Sequence, residues 1–266
     1  SPFHLGKPKL RGKLFREVTA HTGAGLLFCN QVGANDDLLF DGCSQVVDAA
    51  GEVLVRAPSF EESLVLWEVG SAPAVATPPA DPGTCLADAL AMGIRDYVGK
   101  TRSKGICLGL SGGIDSSVVA ALAVRALGPA RVHGALLPSR FTSDASNEDA
   151  LLLAKALKIS TVTLPIDTLY KDTQQGLEKA GLTPLHSLTL ENIQPRLRMT
   201  LLMALANDKE WLLLNTAINR NYPRGTLRYT EILRARLQCW ETLPKIRFWN
   251  SRRFSIARVL RSSPDG

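Results

Sequence analysis

From residue 86 onward the chain alternates between short apolar runs and segments with helical spacing of apolar residues, which restricts the possible folds more than any other feature. The apolar runs at 105–110 and 132–137 are typical of strands buried on both faces. Segments with helical spacing come after them at 116–127 and 147–157. This succession predicts a parallel sheet with helices on both faces. The alternation continues through residues 161–166, 169–180, 191–206 and 211–215.

The first 70 residues have a different pattern, which is richer in strands. The expected elements are a helix near 10–22 and strands at 25–32, 43–56 (with a turn at 48–51) and 64–69. Residues 71–84 are dominated by Ala, Pro, Ser, Gly and Thr, and include Pro78-Pro79. Such a composition holds neither a helix nor a central strand, so we predict a linker there.

Composition excludes several classes of protein. The chain has 266 residues of which 45% are apolar, which is typical of a soluble globular protein. No apolar run approaches the roughly 20 residues that cross a bilayer, and the chain begins without Met or a signal-peptide pattern. We therefore expect no membrane partner and a segment cut from a longer chain. Five cysteines without a C-x-x-C pair favour neither disulfides nor a zinc site, and the cytoplasm is the expected compartment.

The net charge of +6 is confined to the end of the chain. Residues 217–266 contain ten Arg and one Lys against three acidic residues, a net charge of +8, which leaves −2 for residues 1–216. Since most of the chain is slightly acidic, its charge does not favour a nucleic-acid partner.

A loop rich in glycine and serine joins the strand at 105–110 to the next helix. It reads Ser111-Gly112-Gly113-Ile114-Asp115-Ser116-Ser117. Glycines let backbone N–H groups approach an anion, serine hydroxyls add donors, and the helix presents its positive end. The loop matches neither the Walker pattern nor G-x-G-x-x-G. It predicts a phosphate site, and capping of the helix by Ser111 or Asp115 is the alternative.

Several segments carry a resemblance to known enzymes. The loop resembles the pyrophosphate loop of the ATP-pyrophosphatase superfamily, whose members adenylate a carboxylate or carbonyl oxygen. L-P-S-R-F-T-S at 137–143 and E-N-I-Q-P-R-L-R at 191–198 are similar to segments of bacterial glutamine-dependent NAD synthetases. The end of that family's nitrilase-like glutaminase domain resembles S-P-F-H-L-G-K at 1–7, N-Q-V-G-A-N-D at 30–36 and F-D-G at 40–42. The resemblance covers about residues 1–216.

The resemblance implies an α/β fold in two parts. Residues 1–70 would be the C-terminal part of a nitrilase-like four-layer sandwich, and the linker at 71–84 would join it to the second part. Residues 85–216 would be an incomplete doubly wound parallel-sheet domain of the ATP-pyrophosphatase (adenine nucleotide alpha-hydrolase-like) type. Residues 217–266 would be an aberrant Arg-rich tail.

The resemblance also implies a ligase reaction with two substrates besides ATP. The nicotinate carboxylate of deamido-NAD attacks the α-phosphate of ATP, pyrophosphate leaves, and ammonia from glutamine displaces AMP to give NAD. Mg²⁺, held with the help of Asp115, would neutralise the developing charge. The implied ATP-binding residues are Gly109, Leu110, Ser111, Gly112, Gly113, Ile114, Asp115, Ser116, Ser117 and Thr216. The implied deamido-NAD residues are Asn192, Arg196 and Arg198, and the implied glutamine-pocket residues are Ser1 and Lys7.

Several of these assignments have alternatives. Arg196 and Arg198 are two positions apart and do not share a helix face, so at most one is expected to reach a ligand. Either could instead form a solvated ion pair, and Thr216 could be an ordinary hydroxyl at a strand end. The family's catalytic Glu, Lys and Cys lie upstream of this chain, so it is expected to contain no catalytic residue. Cys29 is predicted as a buried structural thiol within a strand, and Cys43 as a similar one.

The chain departs from the family at three places: at Pro195, at Met199, which stands where Gly is usual, and after Thr216. Pro195 stands where Ala is usual, and inside a helix it would cost about 3 kcal/mol unless it lies in the first turn. After Thr216 the family's G-N-K-S-E and T-L-Y-G-D segments are missing. An alternative reading frame of residues 217–266 permits a sequence that restores them. Our hypothesis is a single-base shift near codons 216–218, and a genuine basic arm that binds an acidic partner is the alternative.

The resemblance implies that the parent enzyme is a homo-oligomer. This polypeptide itself is expected to be inactive with glutamine, and weak or inactive with ammonia. Two other functions stay open. One is another amidotransferase with the same loop, such as a GMP synthetase or an asparagine synthetase. The other is a non-catalytic fragment that binds ATP or nucleic acid.

Overall fold

The computed structural model describes residues 1–36, 38–75 and 82–216, and these fall into two compact units. The first comprises the described residues up to Tyr97, and the second those from Val98 onward. The tail at 217–266 and residues 76–81 of the predicted linker lie outside the described residues. No helix in the part of the chain that the structure covers is both long and apolar enough to span a membrane.

The first unit contains two helices, a four-stranded sheet and a separate hairpin. The sheet has the order β1-β4-β5-β6, with antiparallel pairs except for β5 and β6. The hairpin is formed by β2 and β3. The bounds are α1 Lys7–Thr22, β1 Leu26–Phe28, β2 Val32–Asn35, β3 Leu38–Asp41, β4 Gln45–Val47, β5 Val53–Arg56, β6 Ala74–Val75 and α2 Pro82–Lys100.

The predicted turn at 48–51 is confirmed. β4 and β5 form an antiparallel pair around it, and the Asp48 carboxylate accepts the backbone N–H groups of Ala50 and Glu52 at 2.9 and 2.8 Å. Gly51 has a φ of +87°, which a residue with a side chain adopts only with strain. The sequence D-A-A-G therefore forms the turn that its composition predicts.

A buried ion pair ties α1 to the hairpin. Arg11 donates two hydrogen bonds to Asp41, from Nη1 to Oδ2 at 2.7 Å and from Nη2 to Oδ1 at 2.6 Å. The two side chains are only 5% and 4% exposed. Asn30 donates a further bond to Asp41, and Arg11 also donates to the carbonyl oxygen of Ser1. Both charged groups are buried away from water, so loss of either one would leave the other buried without a counter-charge, which is unfavourable.

Several expectations for this unit are wrong. Residues 64–69 form no strand, Val69 lies in a turn, and Leu64 and Leu66 are 88% and 87% exposed. An alternating apolar pattern favours a strand, but a strand also needs a neighbouring strand to pair with, and the pattern does not show whether one is present. The predicted strand at 25–32 is split into β1 and β2, which leaves Cys29 exposed between them rather than buried in a strand. Helix α2 begins at Pro82 instead of Leu86. Proline fits the first turn of a helix, so the proline at residue 82 does not exclude a helix there.

The second unit confirms the predicted parallel sheet. Its strands are β7 Gly105–Gly109, β8 Val132–Leu136, β9 Ser160–Thr163 and β10 Trp211–Leu213. The spatial order is β10-β7-β8-β9, and every pair is parallel. The chain therefore runs outward from β7 to β9 and returns to the other side of β7. The strand order reverses at β7, and ligands bind at such a reversal in open α/β sheets.

The amino end of this sheet is held by an aromatic stack across β7. The rings of His133 on β8 and Trp211 on β10 lie 3.6 Å apart with 9° between their planes. They meet because Gly105 of the intervening strand has no side chain: a Cβ there would lie 3.3 Å from both rings. Burial lowers the pKa of His133, and its Nδ1 lies within hydrogen-bond distance of Ser160 Oγ, at 2.6 Å.

Four helices connect the strands, and each begins earlier than its apolar pattern predicts. Their bounds are α3 Ile114–Leu127, α4 Asp144–Leu157, α5 Asp167–Lys179 and α6 Ser187–Lys209. Polar residues in the first turns, such as those of α4, lie outside the periodic apolar stretch, so that stretch does not reveal where the helix begins. The earlier start of α6 places Pro195 inside that helix, well beyond the first turn.

Replacing Pro195 with alanine is expected to stabilise the chain by about 3 kcal/mol, the usual cost of proline inside a helix. Proline has no N–H, so the carbonyl of Glu191 lacks its helical hydrogen bond, which alanine restores. Urea unfolding followed by circular dichroism measures the difference. Pro8→Ala is the matched control, because Pro8 lies in the first turn of α1, where the N–H has no helical acceptor. A gain at residue 195 no larger than at residue 8 would contradict the expectation.

Candidate functional site

The loop after β7 lies at the carboxyl edge of the parallel sheet, where the strand order reverses. β7 ends at Gly109, and the backbone N–H of Leu110 continues the sheet by donating to the carbonyl of Ala135 at 2.8 Å. Helix α3 begins at Ile114. The predicted phosphate loop is thus a short connection between a buried strand and the positive end of a helix.

The loop's serine hydroxyls are hydrogen-bonded to one another and to the loop backbone. Ser116 Oγ donates to the carbonyl of Gly113 at 2.9 Å and lies 3.2 Å from Ser111 Oγ. Ser117 Oγ donates to the same carbonyl at 2.9 Å, and Ser111 Oγ accepts the N–H of Gly113 at 3.3 Å. These bonds fix the shape of the loop without a ligand.

The loop presents some of the predicted ATP-binding residues to solvent and buries others. Ser111, Gly113, Ile114 and Asp115 are not buried, whereas Leu110 and Ser116 are. No side chain caps α3, whose N-cap is Gly113, so capping by Ser111 or Asp115 does not occur. The first N–H groups of the helix therefore point towards the space above the loop, where an anion would be stabilised.

Gly112 is the residue that brings the loop close to α4. Its φ of +73° is in the left-handed region, and an added Cβ would overlap the carbonyl oxygen of Ser146. Ser146 is in the first turn of α4, and its N–H is capped by Ser143 Oγ at 3.2 Å. Only glycine satisfies both the conformation and the close approach. The first turn of α4 thus forms one wall of the loop.

Thr216 comes after β10 at the same edge of the sheet. The ladder between β10 and β7 pairs Leu213 with Cys107, and Leu214 donates its N–H to the carbonyl of Cys107 at 2.9 Å. The strand ends three residues before Thr216, which is half-buried. Parallel strands end at one edge, so the structure brings Thr216 to the side of the sheet that carries the phosphate loop.

Asn192 and Arg196 share one face of α6, as their spacing of four predicts. Both side chains fold back onto their own helix. Asn192 Nδ2 donates to the carbonyl of Leu188, and Arg196 Nη1 to the carbonyl of Asn192, each at 2.8 Å. Together with Leu188, Thr189 and Ile193 they line a shallow open groove of about 340 Å³.

Arg198 points elsewhere, which confirms that it does not share a face with Arg196. It is half-buried, and it donates from Nε to the carbonyl of Leu137 and from Nη2 to Ser139 Oγ, both at 3.3 Å. Burial lowers the pKa of its guanidinium. Contact of Arg198 with deamido-NAD stays a prediction, but the hydrogen bonds tie the side chain to the loop between β8 and α4.

The two predicted glutamine-pocket residues lie at one end of α1 in the first unit. The backbone nitrogen of Ser1 donates to Asn30 Oδ1 at 2.9 Å, and its carbonyl accepts a hydrogen bond from Arg11. Lys7 is the first residue of α1, and its N–H donates to the carbonyl of His4 at 2.8 Å. Their role as a glutamine pocket stays a prediction.

The cysteines within the described residues are free thiols. Cys43 is buried as predicted, and burial raises the pKa of the Cys107 thiol to about 11. Three or more His, Cys, Asp or Glu side chains do not come together anywhere in the described part of the chain. Within the loop, Asp115 offers a carboxylate, which fits Mg²⁺, an ion held by one or two carboxylates together with substrate phosphates.

The loop between β8 and α4 contains residues that the sequence did not single out as part of a site. Ser139 is buried and bonded to Thr142 as well as to Arg198. The guanidinium of Arg140 lies 4.9 Å from the centre of the Phe141 ring and 5.3 Å from that of Tyr170. The sequence contains two signals for this loop, the resemblance of residues 137–143 to the family and the run of hydroxyl residues at 139–146. Neither signal assigns a role to a particular side chain, and hydroxyl residues indicate turns and caps as readily as a binding site.

A parallel sheet whose phosphate loop lies where the strand order reverses defines a nucleotide-binding α/β protein. Residues 86–225, more than half of the chain, match the family model described as NAD synthase. The chain belongs to the NAD synthase family. It is 42% identical over 222 residues to the glutamine-dependent NAD(+) synthetase of Synechocystis and 41% identical over 225 residues to that of Rhodobacter capsulatus. In each case the match covers 81% of this chain and 40% of the relative.

A solved structure has the same fold. The glutamine-dependent NAD+ synthetase of Acinetobacter baumannii, in complex with adenosine diphosphate, is 35% identical with a TM-score of 0.78. The match covers 82% of this chain and 42% of that one. The chain thus spans less than half the length of the relatives it matches, and it shares with them an α/β fold that contains a parallel sheet.

Proposed function

We propose that this chain is part of a glutamine-dependent NAD synthetase, a ligase that amidates deamido-NAD to NAD with ATP and with ammonia from glutamine. The observation that carries the proposal is the phosphate loop, in which a glycine-rich turn and an uncapped helix lie at the reversal of a parallel sheet. The high identity to enzymes of that name supports the choice of substrates.

In this proposal the loop holds the β- and γ-phosphates of ATP, which become the leaving pyrophosphate. The N–H groups at the start of α3 and the hydroxyls of Ser111 and Ser117 donate to phosphate oxygens, which stabilises the charge that develops as the bond to the α-phosphorus breaks. Asp115 would hold Mg²⁺, which supplies further positive charge when bound. Thr216, at the same edge of the sheet, contacts the nucleotide.

The second substrate would bind at the groove on α6. Asn192 and Arg196 line it, and both now donate to backbone carbonyls of their own helix. Such bonds are readily exchanged for bonds to a ligand, and a guanidinium suits the phosphates of a dinucleotide. The nicotinate carboxylate of deamido-NAD would then attack the α-phosphate, and ammonia would displace AMP from the adenylate.

For the first unit we propose the end of a nitrilase-like glutaminase sandwich, in which Ser1 and Lys7 contribute to the glutamine pocket. We also propose a homo-oligomer for the parent enzyme. The free thiols of the described residues favour a reducing compartment, so we place the reaction in the cytoplasm.

The test exchanges a segment between related enzymes. Residues 86–216 of this chain replace the matching segment of the Synechocystis relative, and pyrophosphate release is measured with ATP, Mg²⁺ and ammonia. We expect release that depends on deamido-NAD, with no release on addition of xanthosine monophosphate or aspartate. The unmodified Synechocystis enzyme is the positive control. Release with xanthosine monophosphate or aspartate instead would contradict the proposal and identify another amidotransferase with the same loop.

A further inference from the structure

Arg198 is a partly desolvated charge that is bonded to neutral groups. Its hydrogen-bond acceptors are the Leu137 carbonyl and Ser139 Oγ, and none of the ion pairs among the described residues includes it. Burial of a cation without a carboxylate is unfavourable, which the lowered pKa of the guanidinium reflects. The two hydrogen bonds, each 3.3 Å long, tie the Arg198 side chain on α6 to the loop between β8 and α4 at two points.

That loop is a compact hydroxyl-bonded turn with Ser139 at its centre. Ser139 Oγ accepts the N–H of Phe141 at 3.3 Å, and the N–H of Ser139 donates to Thr142 Oγ1 at 3.1 Å. The N–H of Thr142 returns to the carbonyl of Ser139 at 2.8 Å. Because Arg198 bonds the same hydroxyl oxygen, it fixes the position of the turn relative to α6.

The turn leads directly into the wall of the phosphate loop. Ser143 comes next and caps α4 through the N–H of Ser146 at 3.2 Å. The carbonyl of Ser146 lies against Gly112, at a place where a Cβ could not fit. A continuous series of contacts therefore joins Arg198 to the phosphate loop, although the hydrogen bonds of Arg198 itself end at the turn.

We infer that Arg198 is a positioning residue for the binding of the ATP phosphates. It acts through the Ser139 turn and the first turn of α4 rather than by contact with ATP. The inference rests on the proposed role of the Ser111–Ser117 loop. A shift of the turn would move the Ser146 carbonyl, and Gly112 would move with it because the two backbones are in contact.

The test compares Arg198→Leu and Arg198→Lys with Lys209→Leu in this chain. Binding of inorganic pyrophosphate with Mg²⁺ is measured by calorimetry, and amide hydrogen exchange is measured for residues 139–146. We expect Arg198→Leu to weaken pyrophosphate binding roughly tenfold and to accelerate exchange at Phe141, Thr142 and Ser146. Arg198→Lys should recover most of the affinity, since an ammonium group can still donate to one of the two acceptors.

Lys209→Leu is the control on the same helix, because Lys209 is the last residue of α6 and pairs only with the neighbouring Asp208 in the described ion pairs, at 2.9 Å. It should change neither pyrophosphate affinity nor exchange. Unaltered exchange at residues 139–146 in Arg198→Leu would overturn the inference, and so would unaltered pyrophosphate affinity. Failure of the unsubstituted chain to bind pyrophosphate at millimolar concentration would instead overturn the proposed phosphate site. In that case the exchange data still show whether Arg198 holds the turn.

Discussion

Gly112→Ala is expected to weaken binding of pyrophosphate or ATP by at least roughly 30-fold, which corresponds to about 2 kcal/mol. Alanine at a φ of +73° is strained, and its Cβ would overlap the carbonyl oxygen of Ser146. Either the loop or the first turn of α4 must move, so the N–H groups of the loop lose the arrangement that suits a phosphate. Calorimetry with Mg²⁺ and each ligand gives the affinities.

Gly176→Ala supplies the matched control for that experiment. Gly176 lies inside α5 with open space around its Cα, so the same change introduces no overlap there. It should leave nucleotide affinity unchanged and stabilise the helix by up to about 1 kcal/mol. Equal affinities for the Gly112 and Gly176 variants would show that the left-handed turn at residue 112 does not shape the binding site.

The second large effect is expected at the buried ion pair of the first unit. Asp41→Asn leaves the Arg11 guanidinium desolvated and without a counter-charge, so we expect the free energy of unfolding to fall by about 3–5 kcal/mol. Asp41 also accepts a hydrogen bond from Asn30 at 3.0 Å, and this bond would weaken as well. Urea unfolding followed by circular dichroism measures the loss.

Two controls separate the buried pair from a general effect of lost charge. Asp172→Asn removes an exposed carboxylate on α5 and should change stability by less than about 0.5 kcal/mol. The double variant Arg11→Met with Asp41→Leu removes both charges and should recover much of the stability, because neither group is left unpaired. A loss at Asp41→Asn below about 1 kcal/mol would mean that water reaches Arg11.

The second unit could be predicted from the sequence because its signals are local. Continuous apolar strands, helical periodicity and the S-G-G-I-D-S-S loop each lie within a few neighbouring residues, and their order defines a parallel sheet with a phosphate loop at its edge. The spacing of Arg196 and Arg198 likewise predicts that these two side chains do not share a face of α6.

The remaining features depend on contacts between distant residues. Arg198 is linked to Leu137 and Ser139 across roughly 60 positions, a pairing that periodicity does not encode. The residues at 64–69 have the pattern of a strand, yet no neighbouring strand among the described residues pairs with them. The contact of Ser146 with Gly112 needs the packing of α4 beside α3, so a strand-and-helix assignment alone does not reveal the wall of the site.

The position of β10 has a consequence for the order in which the second unit can form during synthesis. Gly105 pairs with Trp211 roughly one hundred positions later, so β7 has an unpaired edge until nearly the whole unit has left the ribosome. β7, β8 and β9 can assemble earlier, but β7 is then an edge strand whose unpaired backbone groups favour aggregation. Premature termination shortly before Trp211 would therefore yield a polypeptide that has the entire phosphate loop and still needs a chaperone to stay in solution.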